Sequence, residues 1–480
     1  MDRLRGPVGR LFVFVAAAAA ALSLSAPAQA FTRTDQMLAM GDGVSLATTF
    51  YAPDGSMPPG GWPGVLLLHG LGQDRWTMNA IAEQFFAPNG YAVLTVDARG
   101  HGESGGFSTL TGAREVADYA TVLSWFRLRP GVGDTRIGAL GFSIGGAAVW
   151  KLLTLPGTRL AAAVPAMTWT SLYDALFPQS FPKAGLLAYL RSLHADHRWD
   201  PSFRTLADDA RLGRNLPQVA LFAHERSVRS RLGSIRTPVL MLQGRRDFAF
   251  DLDQALDALV FLRGPRRLYV GNLGHAPATN PPAEQAHYLT QARLWFDRFL
   301  KNQANGIERR PRVELATDPW TARTTQYAGR PARRTLRLGW PGRLTIDANG
   351  KLVRTAAPTR RLNETFGAGL VSVQASSTSG WTHLTAVVSA LTPQGGEIII
   401  SAGGALTPAL SASPKLITIR LTSQATTIPR GSRLRLTIAA SSTAQRADNA
   451  IYPASVPAAA RVFLGATQVV LPVLTRPVSR

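Results

Sequence analysis

Short apolar runs alternate with longer amphipathic segments over the first two thirds of the chain. Val65–His69, Ala92–Asp97 and Ile137–Phe142 are short, apolar and bounded by glycine or polar residues, which is typical of buried strands. Between them, Thr77–Phe86 and Arg114–Phe126 place apolar residues three and four positions apart, as amphipathic helices do. Strands that alternate with helices in this way predict a parallel sheet with crossover helices.

Strand-like and helix-like segments resume further along the chain, at Leu160–Ala166, Val239–Gln243, Leu268–Gly271 and Ala283–Leu300. From about residue 167 to residue 235 the alternation is interrupted by prolines and by aromatic residues at helical spacing. An insertion between two strands of a parallel sheet lies over the carboxyl edge of the strands, where such sheets bind ligands. We therefore predict a helical cap over an active site, with Trp169 and Tyr173 as candidates for lining the substrate pocket.

After residue 305 the pattern changes to many short strand-like runs that are separated by glycine and proline. In Arg433–Ile438 polar and apolar residues alternate strictly, as in a half-buried antiparallel strand. Many short strands with turn signals between them predict a β-sandwich or jelly roll. We predict an α/β domain over residues 31–305, with the cap insertion at about 167–235, followed by an all-β domain over residues 306–480.

The amino-terminal segment has the layout of a secretory signal peptide. Arg3, Arg5 and Arg10 precede the apolar run Leu11–Leu24, and Ala28–Ala30 offers a small-residue cleavage site. The apolar run is too short to span a bilayer comfortably, so removal of residues 1–30 is favoured over an uncleaved anchor. We therefore expect a secreted protein, outside the cell or in the periplasm or cell envelope.

Composition narrows the chemistry and the partners. The chain has no cysteine, which excludes thiol nucleophiles and thiolate metal sites. The formal net charge is +22, and residues 306–480 hold 22 Lys and Arg against 7 Asp and Glu. The arginines of this region are scattered and lack interleaved aromatic clusters, so we predict no nucleic-acid partner. Electrostatic association of residues 306–480 with an anionic cell envelope is one interpretation, and a solvated, arginine-rich surface is the other.

The segment Gly141–Gly145 reads G-x-S-x-G, and it lies between the predicted strand Ile137–Phe142 and the apolar helix Gly146–Leu155. This context is that of the nucleophile elbow of the α/β-hydrolase fold, which exposes a serine on a strained strand-to-helix turn. The helix start behind the serine presents free N–H groups toward developing negative charge. We predict Ser143 as the nucleophile.

A serine hydroxyl needs a base, and in this fold the acid and the histidine follow the serine in that order. Of the eight histidines, His275 follows the last predicted strand of the sheet, on a loop flanked by glycine and proline. Asp247 follows the strand before it and is predicted as the acid that fixes the imidazole tautomer. Asp174 is the alternative acid, whereas Asp251 and Asp253 precede a helical run and are interpreted as helix caps.

An oxyanion hole needs two backbone N–H donors. Ile144, directly after the nucleophile, is predicted to supply one, and Leu71, in the loop His69–Gly72 after an early strand, the other. His194 and His197 are spaced as metal ligands could be, but no third ligand accompanies them, so we expect solvated helix histidines. The sequence contains no motif for a metal, a nucleotide or a flavin, and no cofactor is predicted.

Several segments resemble the X-prolyl dipeptidyl-peptidase and cocaine-esterase group of serine hydrolases. They are Gly41–Leu46, Tyr51–Pro53, Asp97–Ser104, the elbow, Glu225–Ser227, Pro238–Phe250, Gly274–His275 and Gly431–Ile438. The resemblance implies an α/β-hydrolase core, a helical cap and a jelly roll that helps to wall the active site. It also implies Ser143, Asp247 and His275 as the triad. That group typically completes its oxyanion hole with a tyrosine, whereas this chain has His69–Gly72 at that place, as many general esterases do.

The sequence therefore predicts a secreted serine hydrolase that cleaves a small ester or a peptide, with X-Pro peptides as one candidate, through an acyl-enzyme. A dipeptidyl-peptidase needs cap carboxylates to bind a free amino terminus, whereas a carboxylesterase needs only an apolar pocket. Acyl transfer to an envelope sugar or lipid is a second hypothesis. A non-catalytic binding protein is the third, and the filled triad positions disfavour it.

Overall fold

The computed structural model describes residues 31–275, 277–407, 410–442 and 456–479. The predicted signal peptide, residues 1–30, lies outside the described residues. The strands are β1 (Phe31–Ala39), β2 (Ser45–Pro53), β3 (Trp62–Leu68), β4 (Ala92–Val96), β5 (Val132–Phe142), β6 (Ala162–Ala166), β7 (Val239–Gly244), β8 (Arg266–Gly271), β9 (Val313–Ala316), β10 (Thr324–Tyr327), β11 (Arg333–Trp340), β12 (Leu344–Asp347), β13 (Lys351–Pro358), β14 (Asn363–Glu364), β15 (Leu370–Ser376), β16 (His383–Leu391), β17 (Glu397–Leu406), β18 (Lys415–Arg420), β19 (Thr427–Ile428), β20 (Arg433–Ala439) and β21 (Arg461–Leu474).

The α-helices are α1 (Arg75–Ile81), α2 (Ala113–Arg127), α3 (Ile144–Thr154), α4 (Leu172–Leu176), α5 (Ala184–Ser192), α6 (Pro201–Leu212), α7 (Leu216–Glu225), α8 (Leu252–Phe261) and α9 (Pro282–Leu300). A π-helical turn, Ala82–Phe86, continues α1. Short 3-10 segments lie at Ala87–Asn89, Pro178–Ser180, Asp196–Arg198, Arg229–Ser234 and Ile307–Arg309. Among the described helices, none combines the length and the apolar character that are needed to cross a bilayer.

A ten-stranded sheet in the order β1-β2-β4-β3-β5-β6-β7-β8-β9-β10 forms the first part of the molecule. Neighbouring strands from β4 to β9 in this order run parallel, and β1, β2 and β10 join in antiparallel pairs. The central strands are apolar on both faces because helices cover both. Leu66 of β3 belongs to the same buried cluster as Val149 of α3, whereas Leu67 shares a cluster on the other face with Trp295 of α9.

The chain changes direction at β3, and this change positions the site. From β3 it passes to β4 on one side and then to β5 on the other, where Leu68 pairs with Gly141. Open parallel sheets bind ligands at the carboxyl ends of the strands beside such a reversal. The loop that follows β3 and the turn that follows β5 therefore lie side by side.

The large sheet extends further along the chain than residue 305, where we predicted its domain to end. β9 pairs parallel to β8, with Leu268 opposite Val313, and β10 pairs with β9. All four residues of β9 are buried. So short a run carries too little of a periodic pattern to be assigned to one sheet or the other from the sequence.

The remaining strands form an antiparallel sandwich, as the alternation in the sequence predicts. One sheet has the order β11-β21-β15-β18 with β12 beside β21, and the other has the order β13-β20-β16-β17. In β20 the apolar residues Leu434, Leu436 and Ile438 face the buried core between the sheets. Helices α4 to α7 are inserted between β6 and β7. The predicted fold class, an α/β-hydrolase sheet with a helical cap and a sandwich after it, is confirmed.

Candidate active site

Ser143 lies on the turn between β5 and α3 with a strained backbone, φ 55° and ψ −115°. The glycines on either side are required by packing. A Cβ on Gly141 would collide with the backbone of Gly145, and a Cβ on Gly145 would collide with the carbonyl oxygens of Leu68 and His69. The turn therefore lifts the Ser143 side chain from the end of the sheet, as a nucleophile elbow does.

His275 lies on the loop after β8 and reaches Ser143 directly. Its Nε2 is 3.0 Å from Ser143 Oγ, and its ring contacts the Phe250 ring edge-on at 5.1 Å. Asn280 fixes the loop, because its side chain accepts from the Gly274 N–H at 2.8 Å and donates to the Gly274 carbonyl at 2.9 Å. The imidazole is therefore held at the nucleophile by a rigid loop.

Asp247 is buried, and both oxygens of its carboxylate accept hydrogen bonds. Oδ1 accepts from the backbone N–H groups of Ala249 at 2.9 Å and Phe250 at 3.0 Å. Oδ2 accepts from His275 Nδ1 at 2.9 Å and from the His275 backbone N–H at 3.2 Å. The bond to Nδ1 leaves Nε2 as an acceptor for the serine hydroxyl, which is the tautomer that a general base needs.

The structure brings together Ser143, His275 and Asp247, and it places the other candidate acids elsewhere. The carboxylate of Asp174 is half exposed and pairs with Arg229 at 2.9 Å. Asp251 stands at the N-cap position of α8, but its carboxylate accepts from the Ser423 N–H of the sandwich instead of capping the helix. Asp253 lies in the first turn of α8 and pairs with Arg420.

The two predicted oxyanion donors lie beside Ser143. Ile144 is the first residue of α3, so its N–H has no acceptor within the helix. In the loop after β3 the Gly70 N–H is already bonded to Gln73 Oε1 at 2.9 Å, which makes Leu71 the next N–H along the loop. His69 accepts from the Ala98 N–H through Nε2 and therefore donates from Nδ1 to the Gly70 carbonyl, so it supports the loop. The roles of Leu71 and Ile144 stay predictions.

Comparison with known proteins supports the resemblance to one group of hydrolases. Residues 42–277 match the model of the X-Pro dipeptidyl-peptidase family, S15. A Streptomyces avermitilis protein provisionally named Xaa-Pro dipeptidyl-peptidase is 24% identical over 71% of this chain and 52% of its own length. The cocaine esterase of a Rhodococcus species is 25% identical over 69% of this chain and 66% of its own length. The resemblance to this group of serine hydrolases is therefore confirmed.

The structural comparison extends the likeness to the whole fold. The crystal structure of a CocE/NonD family hydrolase from Staphylococcus aureus superposes with a TM-score of 0.72 at 15% identity, over 92% of this chain and 94% of that one. Among the curated relatives, by contrast, the chain spans only about half to two thirds of each protein's length. The chain thus shares the sheet, the cap and the sandwich with a solved hydrolase.

The pocket at Ser143 is mainly apolar and has a volume of about 580 Å³, part of which is open to solvent. Its walls come from the loop after β3, from α1, from the cap and from the loop that carries His275. The lining residues are Gly70, Leu71, Gln73, Thr77, Met78, Ile81, Phe142, Ser143, Met167, Leu190, Leu193, Gly274, His275 and Gln285. Among these described residues there is no carboxylate and no lysine or arginine, and His275 is the one titratable group.

The prediction that Trp169 and Tyr173 line this pocket is wrong. Trp169 is buried, and its Nε1 donates to the Arg226 carbonyl at 2.9 Å while its ring packs on Phe250. Tyr173 stacks on Phe177 with ring centres 5.2 Å apart, on the far side of α4. The cap contributes Leu190 and Leu193 instead, which sequence reasoning missed. Their spacing of three residues at the end of α5 was the available signal.

The sandwich holds the loop that carries the acid, and no sequence signal pointed to these contacts. Arg245 and Glu364 form an ion pair whose two side chains are completely buried. The Ala425 N–H donates to the Arg245 carbonyl at 2.7 Å, and Gln424 Nε2 donates to the Asp247 carbonyl at 3.1 Å. We call Arg245, Glu364, Gln424 and Ala425 the sandwich clamp. It fixes Asp247 from the side opposite to His275.

The cap also contacts the two edges of the site through Lys183, which is buried, and His194, which is half-buried. Lys183, just before α5, donates from Nζ to the Phe248 carbonyl at 2.7 Å, and burial lowers its pKa to about 8. His194 stacks on His101 with ring centres 4.1 Å apart and contacts Trp199 edge-on. Burial, together with the Arg198 guanidinium, lowers the pKa of His194 to about 4. His194 is therefore a neutral packing residue and not the solvated histidine we expected, whereas His197 is exposed.

Proposed function

We propose that the chain hydrolyses neutral, apolar carboxylic esters through Ser143, His275 and Asp247. One observation carries the proposal. The hydrogen-bonded relay from Asp247 through His275 to Ser143 faces a pocket whose described lining carries no carboxylate, lysine or arginine. The similarity to a named cocaine esterase, which is 25% identical to this chain, supports it.

The reaction follows from the positions of the atoms. Ser143 Oγ attacks the ester carbonyl carbon while His275 Nε2 takes the hydroxyl proton, and Asp247 stabilises the imidazolium. The carbonyl oxygen becomes an oxyanion that accepts from the N–H groups of Ile144 and Leu71. The tetrahedral intermediate collapses, and the alcohol leaves with the proton from His275. Water then attacks the acyl-enzyme in the same way and releases the acid and Ser143.

The pocket favours an ester over an X-Pro peptide. A dipeptidyl-peptidase must bind the cationic amino terminus of its substrate, and in a pocket with few other polar groups this needs a carboxylate. The carboxylates of the cap whose side chains are described do not line the pocket, and Asp208 and Asp209 form surface ion pairs with Arg191 and Arg214. An amino terminus would therefore lose its hydration at this site without a partner.

The test combines labelling with a choice between two substrates. A fluorophosphonate is expected to label the wild-type protein at Ser143 and to leave Ser143→Ala unlabelled. The wild type is expected to hydrolyse p-nitrophenyl butyrate and to leave Gly-Pro p-nitroanilide intact. Labelling of Ser143→Ala, or no labelling of either protein, contradicts the assignment of the nucleophile. Hydrolysis of the anilide with a kcat/KM as high as that of the ester contradicts the preference for esters.

We also propose that the protein acts after export. The support is the arginine-rich start, the apolar run Leu11–Leu24 and the small residues Ala28–Ala30. Expression of the full chain should yield an extracytoplasmic protein whose amino-terminal residue is Phe31. A cytoplasmic protein that retains residues 1–30 contradicts the proposal.

A further inference from the structure

A second apolar cavity lies inside the helical cap, beside the pocket at Ser143. Its volume is about 580 Å³, part of which is open to solvent, and it is formed by side chains of α4, α5, α6 and α7. Leu172, Phe177, Leu187, Trp199 and Phe203 are typical of its walls. Among the described lining residues the charged one is Arg191, which pairs with Asp208 at 2.5 Å on the outer side of the cap.

The cap cavity adjoins the pocket of the nucleophile. Leu71 and Leu190 line both spaces, so the wall between them consists of two leucine side chains. Leucine side chains change rotamer easily, and moving these two breaks no side-chain hydrogen bond. Leu71 is also the predicted oxyanion donor, so the opening to the cavity is adjacent to the place where the ester carbonyl binds.

We propose that the cap cavity binds the acyl chain of the substrate, which enters between Leu71 and Leu190. The proposal rests on the ester hydrolysis proposed above and names the substrate class as esters of medium-chain aliphatic acids. The acyl group, and not the alcohol, is the occupant because it stays attached to Ser143 after the first step. The alcohol must leave toward solvent. The cap cavity, which is lined by four helices, is therefore the better site for the acyl group, which remains attached to Ser143.

The lining chemistry supports the same occupant. An aliphatic chain gains up to about fourfold in binding for each methylene that leaves water for an apolar site. The walls offer aliphatic and aromatic side chains and no carboxylate, so a charged or strongly polar acyl group would lose its hydration there without a hydrogen-bonding partner. Selectivity for chain length is therefore expected to come from the cap.

The experiment compares p-nitrophenyl acetate with p-nitrophenyl octanoate on three proteins. In the wild type, kcat/KM is expected to be at least tenfold higher for octanoate than for acetate. Ala207→Phe places a ring into the cavity wall on α6 and should lower this ratio at least tenfold. Thr205→Phe adds the same ring to the exposed face of the same helix and should keep the wild-type ratio.

A wild-type ratio below one contradicts the proposal, as does an Ala207→Phe ratio that equals the wild-type ratio or that of Thr205→Phe. If Ala207→Phe does not fold, the wild type decides the question through two covalent adducts of Ser143. An octyl phosphonate adduct should unfold at a higher temperature than a methyl phosphonate adduct, and an equal or lower Tm contradicts burial of the chain. Failure of the hydrolysis itself is distinguishable, because then neither ester is cleaved and neither phosphonate reacts.

Discussion

On one side of Ser143 the loops of His275 and Asp247 are held by hydrogen bonds and a buried ion pair, whereas on the other side the cap presents leucine side chains that form none. The polar side fixes atoms to within a hydrogen-bond length, with 2.9 Å and 3.0 Å along the relay. The apolar side excludes water and fits a chain without fixing its orientation. We infer that chemistry depends on the polar side and that substrate choice depends on the cap.

The largest effect is expected when the acid of the polar side is changed. In Asp247→Asn the amide can donate to His275 Nδ1, which favours the tautomer whose Nε2 is protonated and cannot accept from Ser143. We expect kcat for a short ester to fall about 10⁴-fold, the size of the loss that this change produces in a serine protease triad. Asp174→Asn is the matched control and should keep the wild-type kcat. Equal losses in the two variants would contradict the assignment of the acid.

Breaking the sandwich clamp is expected to have the second largest effect. This effect is on the free energy of unfolding, whereas loss of the acid lowers kcat. Glu364→Gln removes the partner of Arg245 and leaves a buried guanidinium unpaired, a change that typically destabilises a protein by about 3–5 kcal/mol. The check is the free energy of unfolding in urea. Glu397→Gln is the control, because its pair with Arg435 is partly exposed, and exposed pairs contribute about 1 kcal/mol or less. A similar, small loss in both variants would show that the clamp does not hold the loop.

A smaller effect on kcat is expected where the cap touches the acid loop. Lys183→Met removes the hydrogen bond from Nζ to the Phe248 carbonyl, next to the Ala249 N–H that holds Asp247. We expect kcat to fall roughly tenfold with KM little changed. The variant loses one hydrogen bond that holds the loop of Asp247, and the net contribution of one hydrogen bond corresponds to a change of about this size. Lys151→Met also removes a lysine bond to a carbonyl, that of Glu225, which does not belong to the acid loop, and it should keep kcat. A change in KM alone in Lys183→Met would assign this lysine to the substrate side.

The two sides of the site also differ in how well the sequence predicts them. Ser143, Asp247 and His275 each follow an apolar strand, and parallel strands end at one edge, so local pattern alone brings them together. The partners of the clamp have no such rule, because Gln424 and Asp247 are 177 positions apart, in loops that follow strands of different sheets. In the cap, the presence of aromatic residues does not predict which face of a helix is turned toward the pocket. Trp169 turns inward because of its bond to the Arg226 carbonyl, and that bond exists only in the folded cap.

The smallest effect concerns charge at the contact between the cap and the oxyanion loop, where His194 lies against His101 and near His69 and Arg198. Burial lowers the pKa of all three histidines, that of His194 to about 4 from an ordinary value of 6.5. Between these pH values the unfolded chain binds more protons than the native one. The free energy of unfolding therefore rises as pH increases from 4 to 6.5, and acid favours unfolding.

His194→Phe keeps a ring against His101 but cannot take up a proton, so it should reduce this slope by up to about one proton. His197→Phe, three residues along and exposed, should leave the slope at the wild-type value. The check is urea unfolding at several pH values between 4 and 6.5. A slope unchanged in His194→Phe would mean that this contact accommodates a charge. The cap would then tolerate a charge, as the polar side of the site does. The two sides would differ only in the residues that form the walls of the pocket.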